Sequence, residues 1–161
     1  MLTGIWEYDT QRGDNVLTQD YLMRMFMLLA AAMKESLLRA RGENDPRVAA
    51  DMLDAAISDA TEMDGGLLLR MAPESMAAML QLSQPDPQLM EYVSRSLLLS
   101  SRYSAEAGDL SISALRREQA YAVARAFGVS LDDNSVNQQE LDALFERSGL
   151  DVHAFDDSTP Q

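Results

Sequence analysis

Very few residues of this chain have the type and spacing that catalysis or metal binding requires. There is no cysteine and His153 is the only histidine, so thiol nucleophiles and thiolate metal sites are excluded. The acidic loop that begins at Asp132 is rich in oxygen ligands. A calcium-binding EF-hand, however, needs Gly at the sixth position and Glu at the twelfth, where this loop has Asn137 and Ala143. We therefore expect no metal site and no cofactor.

Three carboxylates, those of Asp51, Asp54 and Glu62, could form one side of a metal site or a general acid–base pair. Catalytic carboxylates need burial and a partner that shifts their pKa. These three lie away from the apolar face of the helix predicted around them, so we interpret them as solvated. His153 lies in the predicted C-terminal tail, where no catalytic triad can be positioned. We predict no catalytic residue and a protein that is not an enzyme.

Asp20 and Arg24 form the one polar stripe of an otherwise apolar helix. From Tyr21 to Met33 every residue except Arg24 is apolar, a pattern that indicates a helix buried on all sides. The i, i+4 spacing of Asp20 and Arg24 lets their side chains pair. Two interpretations remain open: a structural ion pair, or a contact to an anion or a protein partner.

The elements that would position these residues are all helices. Apolar residues recur at helical spacing and strand-like alternation is missing, so the pattern predicts an all-α fold of about six to seven helices. We predict an irregular N-terminal segment over 1–17, a single helical domain over 18–149 and a flexible acidic tail over 150–161. The predicted helices cover 18–41, 45–63, 67–71, 73–82, 86–107, 111–127 and 135–148.

The helix predicted over 86–107 is apolar on two sides, which places it in the middle of a layered stack. Glu91, Arg95 and Arg102 form its remaining polar stripe. Its second apolar side either packs against a neighbouring helix or lines an open groove, and helical repeats use such grooves to hold a peptide. This side and the polar pair of the first predicted helix supply the candidate partner-binding residues, which are Tyr92, Leu99, Tyr103, Asp20 and Arg24.

A glycine and an aspartate, Gly108-Asp109, separate two predicted helices and resemble the turn of a tetratricopeptide-type hairpin. Residues 18–128 also resemble a family of small uncharacterised bacterial all-helical proteins. The likeness lies in 19–25, 53–57, 67–82 and the Gly108-Asp109 turn. The resemblance implies helical hairpins stacked in a tetratricopeptide-like arrangement, and it implies no activity.

Charge and hydropathy bound the kind of partner. The net charge of −13 disfavours nucleic acid and anionic membrane surfaces. The longest apolar run, Met25 to Met33, is too short to cross a bilayer. Residues 1–24 are acidic where a secretory signal would be basic, so we predict a cytoplasmic protein.

The function that these observations predict is a protein–protein interaction module for a protein or peptide partner. A homodimer with a structural or regulatory role is the alternative, because the helix over 18–41 has more apolar surface than one small domain covers. A small-ligand binder or enzyme that uses a methionine-lined pocket and Arg24 is a further alternative.

Overall fold

Helices make up most of the computed structural model, which describes the backbone of residues 3–63 and 65–150 and the side chains of 19–63 and 66–150. This part of the chain holds seven α-helices, one short 3-10 helix and no strand, so the all-α prediction and the predicted number of helices are confirmed. The bounds are α1 Thr3–Arg41, α2 Pro46–Thr61, α3 Gly65–Leu68, α4 Pro73–Leu82, α5 Pro87–Glu106, α6 Leu110–Ala126, the 3-10 helix Asp133–Val136 and α7 Gln138–Arg147.

Short polar side chains fix where most of these helices begin. The Asp86 carboxylate accepts from the backbone N–H groups of Gln88 and Leu89, at 2.8 and 3.3 Å, and Pro87 occupies the first turn of α5, where its missing N–H costs nothing. The same arrangement of a side-chain acceptor before the first turn recurs in α2, α6 and α7. The acceptors there are Asp45, Asp109 and Asn137.

The structure differs from the sequence prediction at the start of α1 and at the last described residue. α1 begins at Thr3, so residues that we expected to be irregular belong to a helix of 39 residues. Leu150, which we placed in the flexible tail, is buried against the core. The rest of the predicted tail, including His153, lies outside the described residues.

The central element is α5, as its two apolar sides predicted. Fourteen of its residues are buried, among them Leu97, and it packs against α1, α2, α6 and the 3-10 helix. α1 and α2 form one antiparallel hairpin, and α5 and α6 form a second. Tilted aromatic contacts continue the core from α1 through α5 to α7, with ring centroids 5.0 Å apart for Phe26–Tyr92 and 6.1 Å apart for Tyr92–Phe145.

Candidate interaction surface

The second apolar side of α5 is covered by the rest of the fold. Tyr92, Leu99 and Tyr103 are 0%, 3% and 1% exposed. Burial raises the pKa of both Tyr92 and Tyr103, because the charged phenolate is disfavoured away from water. Of the two possibilities left open by the sequence, the packed helix is right and the open groove at these residues is wrong.

The polar stripe of α5 makes its contacts within the fold as well. Arg95 is 5% exposed; its Nη1 donates to the carbonyl oxygen of Ser135 at 2.8 Å and its Nη2 donates to Glu91 at 3.1 Å. Arg102 donates to the carbonyl oxygen of Asp133 at 2.6 Å. These hydrogen bonds hold the 3-10 helix against the polar stripe of α5. The sequence periodicity had indicated only that this side of the helix is polar. The three charged side chains are thereby used inside the fold.

The prediction that Asp54 belongs to a solvated row of acids is wrong. Its carboxylate accepts hydrogen bonds from Arg116, whose side chain is largely buried. Nε and Nη2 of Arg116 donate to its two carboxylate oxygens, each at 3.2 Å, and Ser100 Oγ donates to Oδ1 at 2.8 Å. The two-pronged guanidinium and the Ser100 hydroxyl thus join this carboxylate of α2 to α6 and α5. Asp51 and Glu62, its neighbours in the predicted row, are exposed.

The same guanidinium holds the connection between α3 and α4. Nη1 of Arg116 donates to the carbonyl oxygen of Leu69 at 2.8 Å and to Gln119 Oε1 at 3.1 Å. Gln119 in turn donates to the carbonyl oxygens of Leu69 and Met71, at 2.9 and 3.0 Å. The network satisfies backbone oxygens that would otherwise be buried without partners, so its role is structural.

A cleft of about 610 Å³ lies between the start of α5, the loop after α6, and α7. Glu91, Arg95, Glu140 and Arg147 line it, together with small and apolar side chains. Glu91 accepts from Arg95 and lies 3.7 Å from Arg147, so the opposite charges of the cleft largely compensate one another. Among the residues that line the cleft there is one hydroxyl side chain, that of Ser130, and no histidine.

The outer face of α1 is one of the places where apolar side chains remain in contact with water; single leucines on other elements, such as Leu82 and Leu110, are exposed as well. Met23, Met27 and Leu38 are 39%, 43% and 67% exposed, whereas Leu29 and Met33 on the opposite face are buried. The prediction that this helix is buried on all sides is therefore wrong. We call this face the outer stripe of α1. It consists of Asp20, Met23, Arg24, Met27, Ala31, Lys34 and Leu38.

Asp20 and Arg24 both lie on the outer stripe and are exposed. Although their spacing allows a pair, no ion pair within 4.0 Å joins them, so the structural ion pair considered from the sequence is not formed. Next to them, the hydroxyl of Tyr21 lies against the Glu62 carboxylate; burial and this hydrogen bond raise the pKa of Tyr21 to about 12. Asp20 and Arg24 are thus the two predicted site residues that a partner can reach.

Further properties of the described residues bear on function. They contain no group of three or more acidic or histidine side chains placed to hold a metal ion. No helix in this part of the chain is both long and apolar enough to cross a membrane. Compared with known protein families, curated proteins and solved structures, the chain matches none.

Proposed function

We propose that this chain is a protein–protein interaction module and that the outer stripe of α1 is its contact surface. The observation that carries the proposal is the exposure of Met23, Met27 and Leu38 on a helix whose opposite face is core. Exposed apolar side chains rimmed by charges are typical of protein-binding sites. Methionine suits such a surface because its flexible thioether adapts to the shape of a partner.

We further propose that the hairpins are stacked in a tetratricopeptide-like arrangement, as in the bacterial family that the sequence resembles. Three features support it: the α1–α2 hairpin, the α5–α6 hairpin and the extensive packing of α2 on α5 between them. Gly108, in the turn of the second hairpin, has φ +86°, a conformation that favours glycine. Proteins built from stacked hairpins commonly bind peptides and proteins along their surfaces.

The charge of the chain supports a protein as the partner. A net charge of −13 favours a protein over nucleic acid or an anionic membrane. The proposal that the chain is not an enzyme is supported by Asp54, whose carboxylate is occupied by Arg116. We also propose a cytoplasmic location, which is supported by the absence of cysteine from the sequence.

Photo-crosslinking in the cells that express the protein tests the contact surface. A photoreactive amino acid replaces Leu38 in one variant and Leu110 in another; these leucines are 67% and 70% exposed, and Leu110 lies on α6. A third variant carries the photoreactive amino acid in place of Met27. We expect covalent protein adducts from positions 38 and 27, and none from position 110. Adducts from position 110 alone, or from none of these positions, would contradict the proposal.

A further inference from the structure

The cleft between the start of α5, the loop after α6, and α7 has a negative charge at one end of its α7 wall and a positive charge at the other. Three residues of α7 line it, spaced i, i+3 and i+7 along one face of the helix: Glu140, Ala143 and Arg147. At 1.5 Å per residue, Glu140 and Arg147 lie about 10 Å apart along the helix axis. The small side chain of Ala143 leaves the space between them open.

The Arg147 guanidinium has donors that the described fold leaves unused. The Glu91 carboxylate accepts a hydrogen bond from Arg95 at 3.1 Å, whereas Arg147 Nη2 lies 3.7 Å from it, beyond hydrogen-bond distance. Glu91 thus provides one negative charge for two guanidinium groups. The Arg147 side chain is 58% exposed, and within the described residues it donates no hydrogen bond. It can therefore accept a further anionic partner.

The loop after α6 forms a wall of the cleft that suits an extended backbone. Phe127 and Val129 are half-buried and contribute apolar surface. Ser130 is exposed, and among the described residues neither its N–H nor its carbonyl oxygen bonds to another backbone group. An extended peptide pairs with main-chain groups of this kind and places its side chains against nearby apolar surface.

We propose that this cleft binds a short peptide of about three residues with free termini. Its carboxylate bonds to Arg147, because a guanidinium holds a carboxylate through two parallel hydrogen bonds, and its ammonium group lies at Glu140. An extended chain spans about 3.3–3.6 Å per residue, so three residues bridge the 10 Å between these ends and a single amino acid does not. The cleft volume of about 610 Å³ is in the range of small-ligand sites.

Such a ligand also fits the charge of the protein. A peptide with free termini and apolar side chains has no net charge, so the net charge of −13 does not repel it as it repels an anion. The cleft shares no residue with the outer stripe of α1. The peptide site and the proposed contact surface therefore do not depend on each other, and each has its own test.

Titration of the isotope-labelled full chain with alanyl-leucyl-alanine, followed by NMR of the backbone amides, tests the site. We expect a dissociation constant of about 0.1–1 mM, as for a small ligand in an open cleft. The amide shifts should centre on Ser130, Ala143 and Arg147. An absence of shifts at millimolar peptide, or shifts that centre outside the cleft, would overturn the proposal.

Two substitutions test the charged ends. Arg147→Gln should raise the dissociation constant about tenfold, since it removes the hydrogen bonds to the carboxylate. Glu140→Gln should raise it about fivefold, because the lost pair is exposed. Arg125→Gln is the matched control: Arg125 is 65% exposed, pairs with Glu74 and does not line the cleft. Circular dichroism checks that each variant is folded, and equal affinities of the Arg147→Gln and Arg125→Gln variants would overturn the assignment.

Changes in the peptide test the same contacts from the other side. Amidation of its carboxyl end should weaken binding to the wild-type chain about tenfold and make little further difference in Arg147→Gln, where that contact is already lost. Acetylation of its amino end should weaken binding to the wild-type chain about as much as Glu140→Gln does. An acetylated peptide that binds as tightly as the free one would overturn the zwitterionic ligand and indicate the carboxyl end of a longer chain.

Discussion

Replacing Arg116 by alanine should destabilise the protein far more than the same change at Arg117, its neighbour in the sequence. The Arg116 side chain is 8% exposed and bonds to Asp54, Leu69 and Gln119, so it ties α6 to α2 and to the α3–α4 connection. The Arg117 side chain is 50% exposed and pairs with Asp133, whose side chain is 64% exposed. The two variants differ in burial and not in the type of residue removed.

The expected loss follows from what Arg116→Ala leaves behind. Breaking a buried ion pair costs about 3–5 kcal/mol, because the remaining charge stays poorly solvated. Asp54 keeps its bond from Ser100 and a side chain that is 22% exposed, which places the loss near 3 kcal/mol, the lower end of that range. The Leu69 carbonyl adds little, because Gln119 still donates to it.

Urea unfolding followed by circular dichroism measures this difference. With a denaturant dependence of about 2 kcal/mol per molar urea, Arg116→Ala should lower the midpoint by about 1.5 M. We expect the shift for Arg117→Ala to be less than about a third of that, since exposed ion pairs contribute little. Equal shifts in the two variants would refute the reasoning from burial.

A double variant identifies the source of the loss. If the unpaired Asp54 carboxylate is what destabilises Arg116→Ala, then Asp54→Ala combined with Arg116→Ala should cost less than the sum of the two single changes. Strict additivity would show that Arg116 stabilises the fold through its other contacts alone.

Two further predictions concern ionisation and backbone conformation. The pKa of Tyr21 is raised from 10.0 in the unfolded chain to about 12 in the folded state, so its contribution to stability is complete below pH 10 and is lost between pH 10 and about 12. Because Tyr21→Phe removes this ionisation, the urea midpoint of the variant should fall less steeply over that pH range. A slope equal to that of the wild type would contradict the raised pKa. Gly108 has φ +86° and open space where a Cβ would stand, so backbone strain is the only penalty expected for a larger residue. Gly108→Ala should lower the free energy of unfolding by about 1 kcal/mol, and Gly108→Asn by less, because asparagine tolerates positive φ better. Equal urea midpoints for the two variants would argue against backbone strain as the cause.

The parts of the fold that the sequence predicted well are those fixed by local chemistry. Asp45, Asp86 and Asp109 are followed by first turns that need an acceptor, so the starts of α2, α5 and α6 are readable within one residue or two. The two-sided pattern of α5 predicted a central helix because a helix that is apolar over so much of its surface must be covered almost all round. Both predictions depend only on residues that are close in sequence, within one or two helical turns.

The start of α1 was missed for a related reason. Gly4, Gly13 and Asn15 are poor helix formers, and on propensity alone they mark a turn or a loop. Each costs only about 1 kcal/mol or less relative to alanine, however, and a helix that is already formed from Arg41 backwards can extend through them. Local propensity is a weak guide once a long helix has been nucleated elsewhere.

The charged residues were the least predictable, because their partners are remote in sequence. Arg95 bonds to a residue 40 positions away and Arg116 to one 62 positions away. Helical periodicity shows that such residues share a polar stripe, and it carries no information on which distant segment covers the stripe. At Met27 the prediction was wrong in the other direction. The apolar pattern predicted a buried side chain, whereas Met27 is 43% exposed in the described fold.

The central position of α5 has a consequence for the order in which the chain can fold during synthesis. α1 and α2 leave the ribosome first, yet much of their apolar surface packs against α5. About 45 residues separate the end of α2 from the end of α5, which corresponds to about 2–9 s of translation. During that interval the first hairpin has no core to join. A truncated chain that stops before Pro87 would keep those apolar surfaces exposed and would be a target for chaperones and proteases.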